Sequence, residues 1–261
     1  MNERQKHYSE IFSTFVKLSR EKEFLLDRIE SLLPECRESY LDVGPGDGVL
    51  MSSVARFFGR TVAIESNHAF IPRLEGLADE VVSGRIEEVE ARGQFDMILG
   101  SHMLGYVAPS DRCQIVRRLF GHLKPKGILI LIYNSVNSDV YRILLALSAY
   151  SGKCWAKPVV FRKPGDILGA ASGYITLKRD RMPILTNEEK AATDVAEFIA
   201  FGDRPLNEEG RRVLQKLVDG YRREDGWWQI MIEHEFLCLS PSRNVLKSCP
   251  FLAKQVDFTN C

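Results

Sequence analysis

Residues 41–48, LDVGPGDG, constrain this 261-residue chain more than any other stretch. An apolar run reaches Asp42, glycines follow at 44, 46 and 48, and an apolar helical pattern then runs from Val49 to Phe58 and stops at Gly59. Strand, glycine turn and helix in that order open a nucleotide-binding α/β sheet. The turn needs backbone angles that a Cβ would forbid, and the missing side chains let a ligand lie against the main chain. The dinucleotide fingerprint G-x-G-x-x-G would place its third glycine at position 49, where Val49 stands.

Downstream segments continue the same architecture. Arg60–Ile64 reads as a second strand ending in Glu65, Val81-Val82 as a short third, and Phe95–Leu99 as a buried fourth. A helix over Asp111–Leu123 carries Ile115, Val116, Leu119, Phe120 and Leu123 on one face. The turn Lys124–Gly127 then leads to a fifth strand, Ile128–Ile132. Over residues 38–135 this order, with an acid heading a G-x-G-x-G turn, strongly resembles the class I S-adenosylmethionine (SAM) methyltransferases.

The resemblance implies a seven-stranded, mostly parallel, doubly wound α/β sheet whose last strand is antiparallel. One methyltransferase domain would span residues 1–240: a helical lid over 1–35, a SAM-binding core over 36–135, and substrate-cap helices and final strands over 136–240. It implies SAM as cofactor, S-adenosylhomocysteine (SAH) as product, and no metal. Asp42 would lie near the amino end of the methionine moiety, with the backbone of Gly44, Pro45 and Gly46 passing beneath the ribose and methionyl moiety. Glu65, with Ser66 beside it, would accept hydrogen bonds from both ribose hydroxyls. At the third strand the family usually places an acid facing the adenine amino group. This chain has Arg85, which cannot accept a hydrogen bond, leaving Ile86 packing and backbone groups for the adenine.

The stretch after strand four, Gly100-Ser101-His102-Met103, lacks the Asn/Asp-Pro-Pro-aromatic run of enzymes that methylate nucleic-acid bases. The paired glutamates of the protein-arginine type and the Mg²⁺-binding aspartate of the catechol type are absent too. The loop resembles that of the small-molecule N- and O-methyltransferases of biosynthesis, which implies a small organic acceptor, modified at N or O, in secondary metabolism or small-amine modification. Ser101 and His102 are candidate cofactor contacts. His102 is also the titratable ring near the expected methyl position, as a base for an alcohol or phenol or as an orienting group for an amine; a backbone-bonded histidine at a helix start is the plain alternative. Tyr133 is the second catalytic candidate, although a tyrosine at this position serves the core as readily as a ligand. Tyr106 and Asn134 are pocket-wall candidates because ligands gather at the carboxyl ends of such strands. Tyr8, in the lid, and Trp155, after strand five, are further substrate-contact candidates.

Composition narrows the partners. Lys plus Arg and Asp plus Glu stand at 35 each, which argues against a nucleic-acid partner. No apolar run approaches a membrane span and residues 1–10 are polar, so a cytoplasmic protein, monomer or homodimer, is expected. The six cysteines form no C-x-x-C pair, which fits reduced thiols; Cys113 and Cys238 fall in apolar patterns. Residues 7–33 read as one helix ended by Pro34.

Beyond strand five, helices are expected over 140–150, 187–201 and 207–221, with strands over 174–177 and 227–240 and a short helix near 163–166. This distribution faintly resembles the histamine-type small-amine N-methyltransferases. Residues 241–261 are expected to be an irregular tail, packed against the domain or partly disordered. A SAM- or SAH-binding regulatory module without turnover would carry the same cofactor residues.

Overall fold

The computed structural model describes residues 3–151, 159, 167, 173–201, 206–249, 251 and 252. Two compact units group the chain: Lys22–Tyr133 with Val159–Arg179 and Glu235–Cys261, and Met1–Glu21 with Asn134–Pro158 and Asp180–His234. Seven strands make one sheet: β1 (Ser39–Val43), β2 (Arg60–Glu65), β3 (Glu80–Ser83), β4 (Phe95–Ser101), β5 (Leu123–Asn134), β6 (Tyr174–Thr186) and β7 (Trp228–Ser240), in the spatial order β3-β2-β1-β4-β5-β7-β6.

Strands β1 to β5 pair in parallel, with Leu41 opposite both Val62 and Ile98. They are continuous apolar runs because both faces of the sheet are covered. Side-chain alternation divides the first unit's core accordingly. Leu41, Val43, Ile98, Leu129 and Leu131 join one cluster, and Tyr40, Met97, Leu99, Ile128 and Ile130 the other. Helix α3 (Val49–Ala55) packs Met51 and Val54 into the second cluster, while α5 (Arg112–Gly121) packs Ile115, Val116, Leu119 and Phe120 into the first. The short α4 (Ile71–Leu74) lies between β2 and β3 in sequence.

Several expected boundaries move. The single helix over 7–33 is two, α1 (Glu3–Ser19) and α2 (Glu21–Glu30), separated at Arg20, whose φ of +48° breaks the helical path. Strand β5 begins five residues early, at Leu123: the Lys124–Gly127 turn is taken up as an irregularity between the Phe95–Leu123 and Met97–Ile128 pairs. Strand β6 runs on to Thr186 instead of stopping at 177. Its charged stretch is a cross-strand ladder, with Arg179 Nε donating to Glu235 Oε1 at 2.7 Å and Arg181 Nε donating to Glu233. Stepping up β6 is stepping down β7, so the two are antiparallel. Residues 243–248 form a helix rather than an irregular tail, and Leu246, Cys249 and Leu252 join the core. Cys113 is only partly buried, whereas Cys238 is buried as expected. The helix expected near 163–166 lies outside the described residues.

In the second unit, α1, α6 (Asp139–Ser151), α7 (Glu189–Phe201) and α8 (Glu208–Asp219) pack together. Phe15 meets Phe198 with ring centroids 4.6 Å apart. Asn207 caps α8 by accepting the Gly210 N–H at 2.8 Å. The helices expected from sequence in this region are therefore present, within a residue or two at each end.

Asp96 anchors the amino ends of the central strands. Its Oδ2 accepts from the Glu38 and Ser39 backbone N–H groups at 3.0 and 2.9 Å, from Ser39 Oγ at 3.2 Å and from Lys124 Nζ at 2.9 Å. Burial alone would raise its pKa, but the Lys124 and Ser39 hydrogen bonds hold it below the ordinary value. A depressed carboxyl stabilises the fold above the unfolded pKa of about 3.9 and loses that contribution as pH falls through the folded value. Asp96→Ala is expected to cost about 2–4 kcal/mol in urea unfolding at neutral pH, since it strands buried donors and Lys124. The difference from wild type should shrink below about pH 4.

Candidate active site

The site begins where β1 runs out. Gly44, Gly46 and Gly48 have φ of +72°, +58° and +72°, so all three occupy the left-handed region that a Cβ disfavours. Gly44 donates its N–H to Ile64 O at 2.8 Å, and a Cβ there would come within 3.1 Å of Met103 Cβ. Gly46 differs: a Cβ there would meet nothing within 4 Å. Its bare face borders open space, as a ligand lying on the main chain requires. Pro45 closes the turn through its carbonyl, which accepts the Gly48 N–H at 3.0 Å.

Two acids flank the turn. Glu65, at the end of β2, is 6 % exposed; its Oε2 accepts the Gly46 N–H at 2.9 Å and its Oε1 the Asn67 N–H at 2.7 Å. Each carboxylate oxygen keeps a second lone pair for a ligand hydroxyl. Asp42 is 2 % exposed and its Oδ2 accepts from Tyr40 Oη at 2.5 Å. Burial pushes the Asp42 pKa up to about 7; the Tyr40 hydrogen bond pulls the other way, and Glu65 adds to the rise. Burial and the neighbouring carboxyl likewise push the Tyr40 phenol well above its ordinary value.

Just past β2, Ser66 is exposed; past the end of β3, Ile86 is buried in the core and the exposed Arg85 donates to Glu87 Oε1 at 2.8 Å. At the end of β4, Ser101 pairs with Ile132, and the next residue, His102, donates its backbone N–H to Ile132 O at 2.8 Å. His102 has φ +58°, an uncommon backbone conformation for a residue with a side chain, at the opening of the 3-10 turn Met103–Gly105. The sequence had suggested a histidine at a helix start, and this is its local setting.

Tyr106 projects into solvent, 87 % exposed. Tyr133 is buried, and its hydroxyl hydrogen-bonds Glu235, whose carboxylate Arg179 also holds. Burial, and next the Glu235 charge, push its pKa well above the ordinary phenol value. Those surroundings set Tyr133 against a role as proton acceptor and make it a structural partner of β7. Asn134 has its Oδ1 buried with no hydrogen-bond partner among the described residues. The Tyr8 side chain and all of Trp155 lie outside the described residues.

Residues that sequence reasoning missed are Lys22, whose Nζ lies 2.5 Å from Asp47 Oδ2, and Tyr40 and Glu235. Tyr40 was within reach, because it stands two residues before Asp42 and so on the same strand face. The others depend on contacts between distant segments.

The helical unit has a polar cavity of about 560 Å³ lined by side chains of α1, α7 and α8. Its charges largely satisfy one another: His7 Nε2 lies 2.9 Å from Glu197 Oε1, and Lys190 Nζ 2.6 Å from Asp194 Oδ2.

Acids at the ends of β1 and β2 and an open glycine backbone suit a ligand bearing a positive charge and hydroxyl groups, and Lys22 of α2, held by Asp47, adds one cation beside them. The profile of the "Methyltransferase domain" family matches residues 17–160, more than half of the chain. No match was found among curated proteins. Among solved structures, a Bacillus halodurans C-125 protein (BH2331), provisionally named a methyltransferase, superposes with a TM-score of 0.56 at 17% identity, covering 82% of this chain and 96% of that one. A functionally unknown protein from Deinococcus radiodurans R1 gives 0.53 at 13% identity, covering 84% and 87%. A Galdieria sulphuraria protein, provisionally named a sarcosine dimethylglycine methyltransferase, gives 0.51 at 17% identity, covering 85% and 86%. The chain belongs to the methyltransferase-domain family and carries the fold of the class I SAM-dependent methyltransferases.

Proposed function

We propose that the chain transfers the methyl group of SAM to a nitrogen or oxygen of a small organic acceptor. The observation that carries this reading is the Glu65 carboxylate at the end of β2, bonded to the Gly46 N–H of a glycine turn whose face is open. Glu65 would take the ribose hydroxyls and Asp42 the amino end of the methionine moiety. Ser66, Arg85 and Ile86 would border the adenine; with Arg85 turned to Glu87, the adenine amino group has no acceptor at that position.

SAM, when bound, supplies a methyl group on a sulfonium, which is already an activated leaving group. The protein's part is then chiefly alignment and exclusion of water, and few acid–base residues are needed. His102 is positioned by its Ile132 bond to orient the acceptor or to take its proton. Asn134 Oδ1 offers an acceptor to an N–H or O–H group. A small amine or phenol handled in the cytoplasm, as monomer or homodimer, without a metal and without nucleic-acid or membrane partners, completes the reading. Among the described residues no helix is long and apolar enough to cross a membrane.

The test is transfer of radiolabelled methyl from SAM to a panel of primary amines, secondary amines and phenols. Label is expected in at least one amine or phenol, with transfer lost in Glu65→Ala. Tight SAM binding with no labelled product, in the panel or in a small-molecule extract, would replace the enzyme reading by that of a SAM-binding module.

A further inference from the structure

Lys22 stands in the first turn of α2, and its ammonium reaches the glycine turn, where Nζ lies 2.5 Å from Asp47 Oδ2. Asp47 is the residue between Gly46 and Gly48, and its Oδ1 accepts the Val49 N–H at 3.2 Å. One carboxylate thus fixes the start of α3 and the lysine together. Lys22 is about one-third exposed, at 33% of its side-chain surface, and an ammonium has three donors. One of them meets Asp47, which leaves two to face a ligand.

The turn is otherwise bordered by acids. Asp42, Asp47 and Glu65 all bring carboxyl groups to it. SAM has a cationic sulfonium and amino group that suit such a site, but its methionyl end also bears a carboxylate. At this turn that carboxylate would face like charges unless a cation stood by. Among the described residues, Lys22 is a cation in contact with the turn's own side chains, through Asp47. It is held by an acid that itself belongs to the turn, and a lysine in that setting is a point charge free to swing among its partners.

We propose that Lys22 is the counter-ion of the methionyl carboxylate, with Asp47 as the positioning residue that keeps it at the turn. The proposal rests on the SAM reading above. It assigns α2 a cofactor contact outside the strand ends.

The experiment is calorimetric binding of two probes, SAH and 5′-methylthioadenosine, to wild type and to Lys22→Met. The second probe shares the adenosine and thioether but lacks the amino-acid end. Lys22→Met is expected to weaken SAH about tenfold or more while changing methylthioadenosine by less than about twofold, and Lys22→Arg should recover most of the loss. An unchanged SAH affinity, or an equal loss for both probes, would overturn the proposal, the latter by showing that Lys22 only holds the turn. Failure of the wild type to bind either probe would instead remove the SAM reading, and the proposal with it. If the methionine variant does not fold, Lys22→Gln gives the same comparison.

Discussion

Glu65→Ala is expected to weaken SAH binding by about a hundredfold to ten-thousandfold, while leaving the chain folded. Each charge-assisted hydrogen bond to a ribose hydroxyl contributes about 1.5–3 kcal/mol, and the carboxylate has one free lone pair on each oxygen for the two of them. The alanine variant also releases the Gly46 and Asn67 N–H groups, so the glycine turn loses the side chain that ties it to β2. Glu65→Gln separates these effects. Its amide keeps one acceptor but places an NH₂ where a backbone N–H now donates, so an intermediate loss is expected. Titration calorimetry with SAH measures both variants, and thermal melting checks the fold. Wild-type affinity in the alanine variant would mean that the cofactor does not grip this acid.

Asp42→Asn is expected to raise the stability of the ligand-free protein at about pH 8 by up to about 4 kcal/mol, or roughly 5–10 °C in Tm. The Asp42 carboxyl is buried and its pKa lies at about 7 in the fold, against an unfolded value of about 3.9. A raised pKa contributes stability that is fully present below the unfolded value and is lost as pH rises through the folded one. Wild type should therefore weaken between about pH 4 and pH 7 by this contribution, and the asparagine variant should not. The neutral side chain still accepts the Tyr40 hydroxyl proton.

What such a carboxyl offers in return is a charge that appears when a cation arrives. A methionyl ammonium and sulfonium beside Asp42 favour its ionised form, so SAM should bind more tightly at about pH 7.5 than at about pH 5.5, by up to tenfold per pH unit. Asp42→Asn should flatten that dependence. Tyr40 and Glu65 face the same carboxyl, and Asp42→Asn leaves both in place. A flat profile in wild type would place the methionyl group elsewhere.

The parts of the fold that are legible in the sequence are those governed by local rules. Gly44, Gly46 and Gly48 announce a turn because only glycine tolerates three left-handed residues at alternate positions. Glu65 stands out because a β-branched run ends in an acid. Arg20 gives no comparable signal: the apolar stripe continues across it, and the break is a single positive φ. The run Lys178–Arg181 looked like the end of a strand because its charges hide the alternation. Only the opposite strand, bringing Glu233 and Glu235 into register, makes them strand residues. Tyr133 had every outward mark of a pocket residue at a strand end, yet Glu235, distant in sequence, takes its hydroxyl. Asp47 and Lys22 are likewise unremarkable until the fold brings them together.

The two borders of the sheet differ in length but share a defence against unwanted polymerisation. Strand β3 is four residues long and offers few free backbone groups. Strand β6, at the opposite border, is long enough to recruit a neighbour, but it carries Lys178, Arg179, Asp180 and Arg181 and then Pro183, which has no N–H to give. Charges and a proline on a border strand discourage backbone-to-backbone addition. Any self-association of this chain would therefore use side-chain surfaces, and a fourteen-stranded continuous sheet across two copies is not an assembly its borders favour.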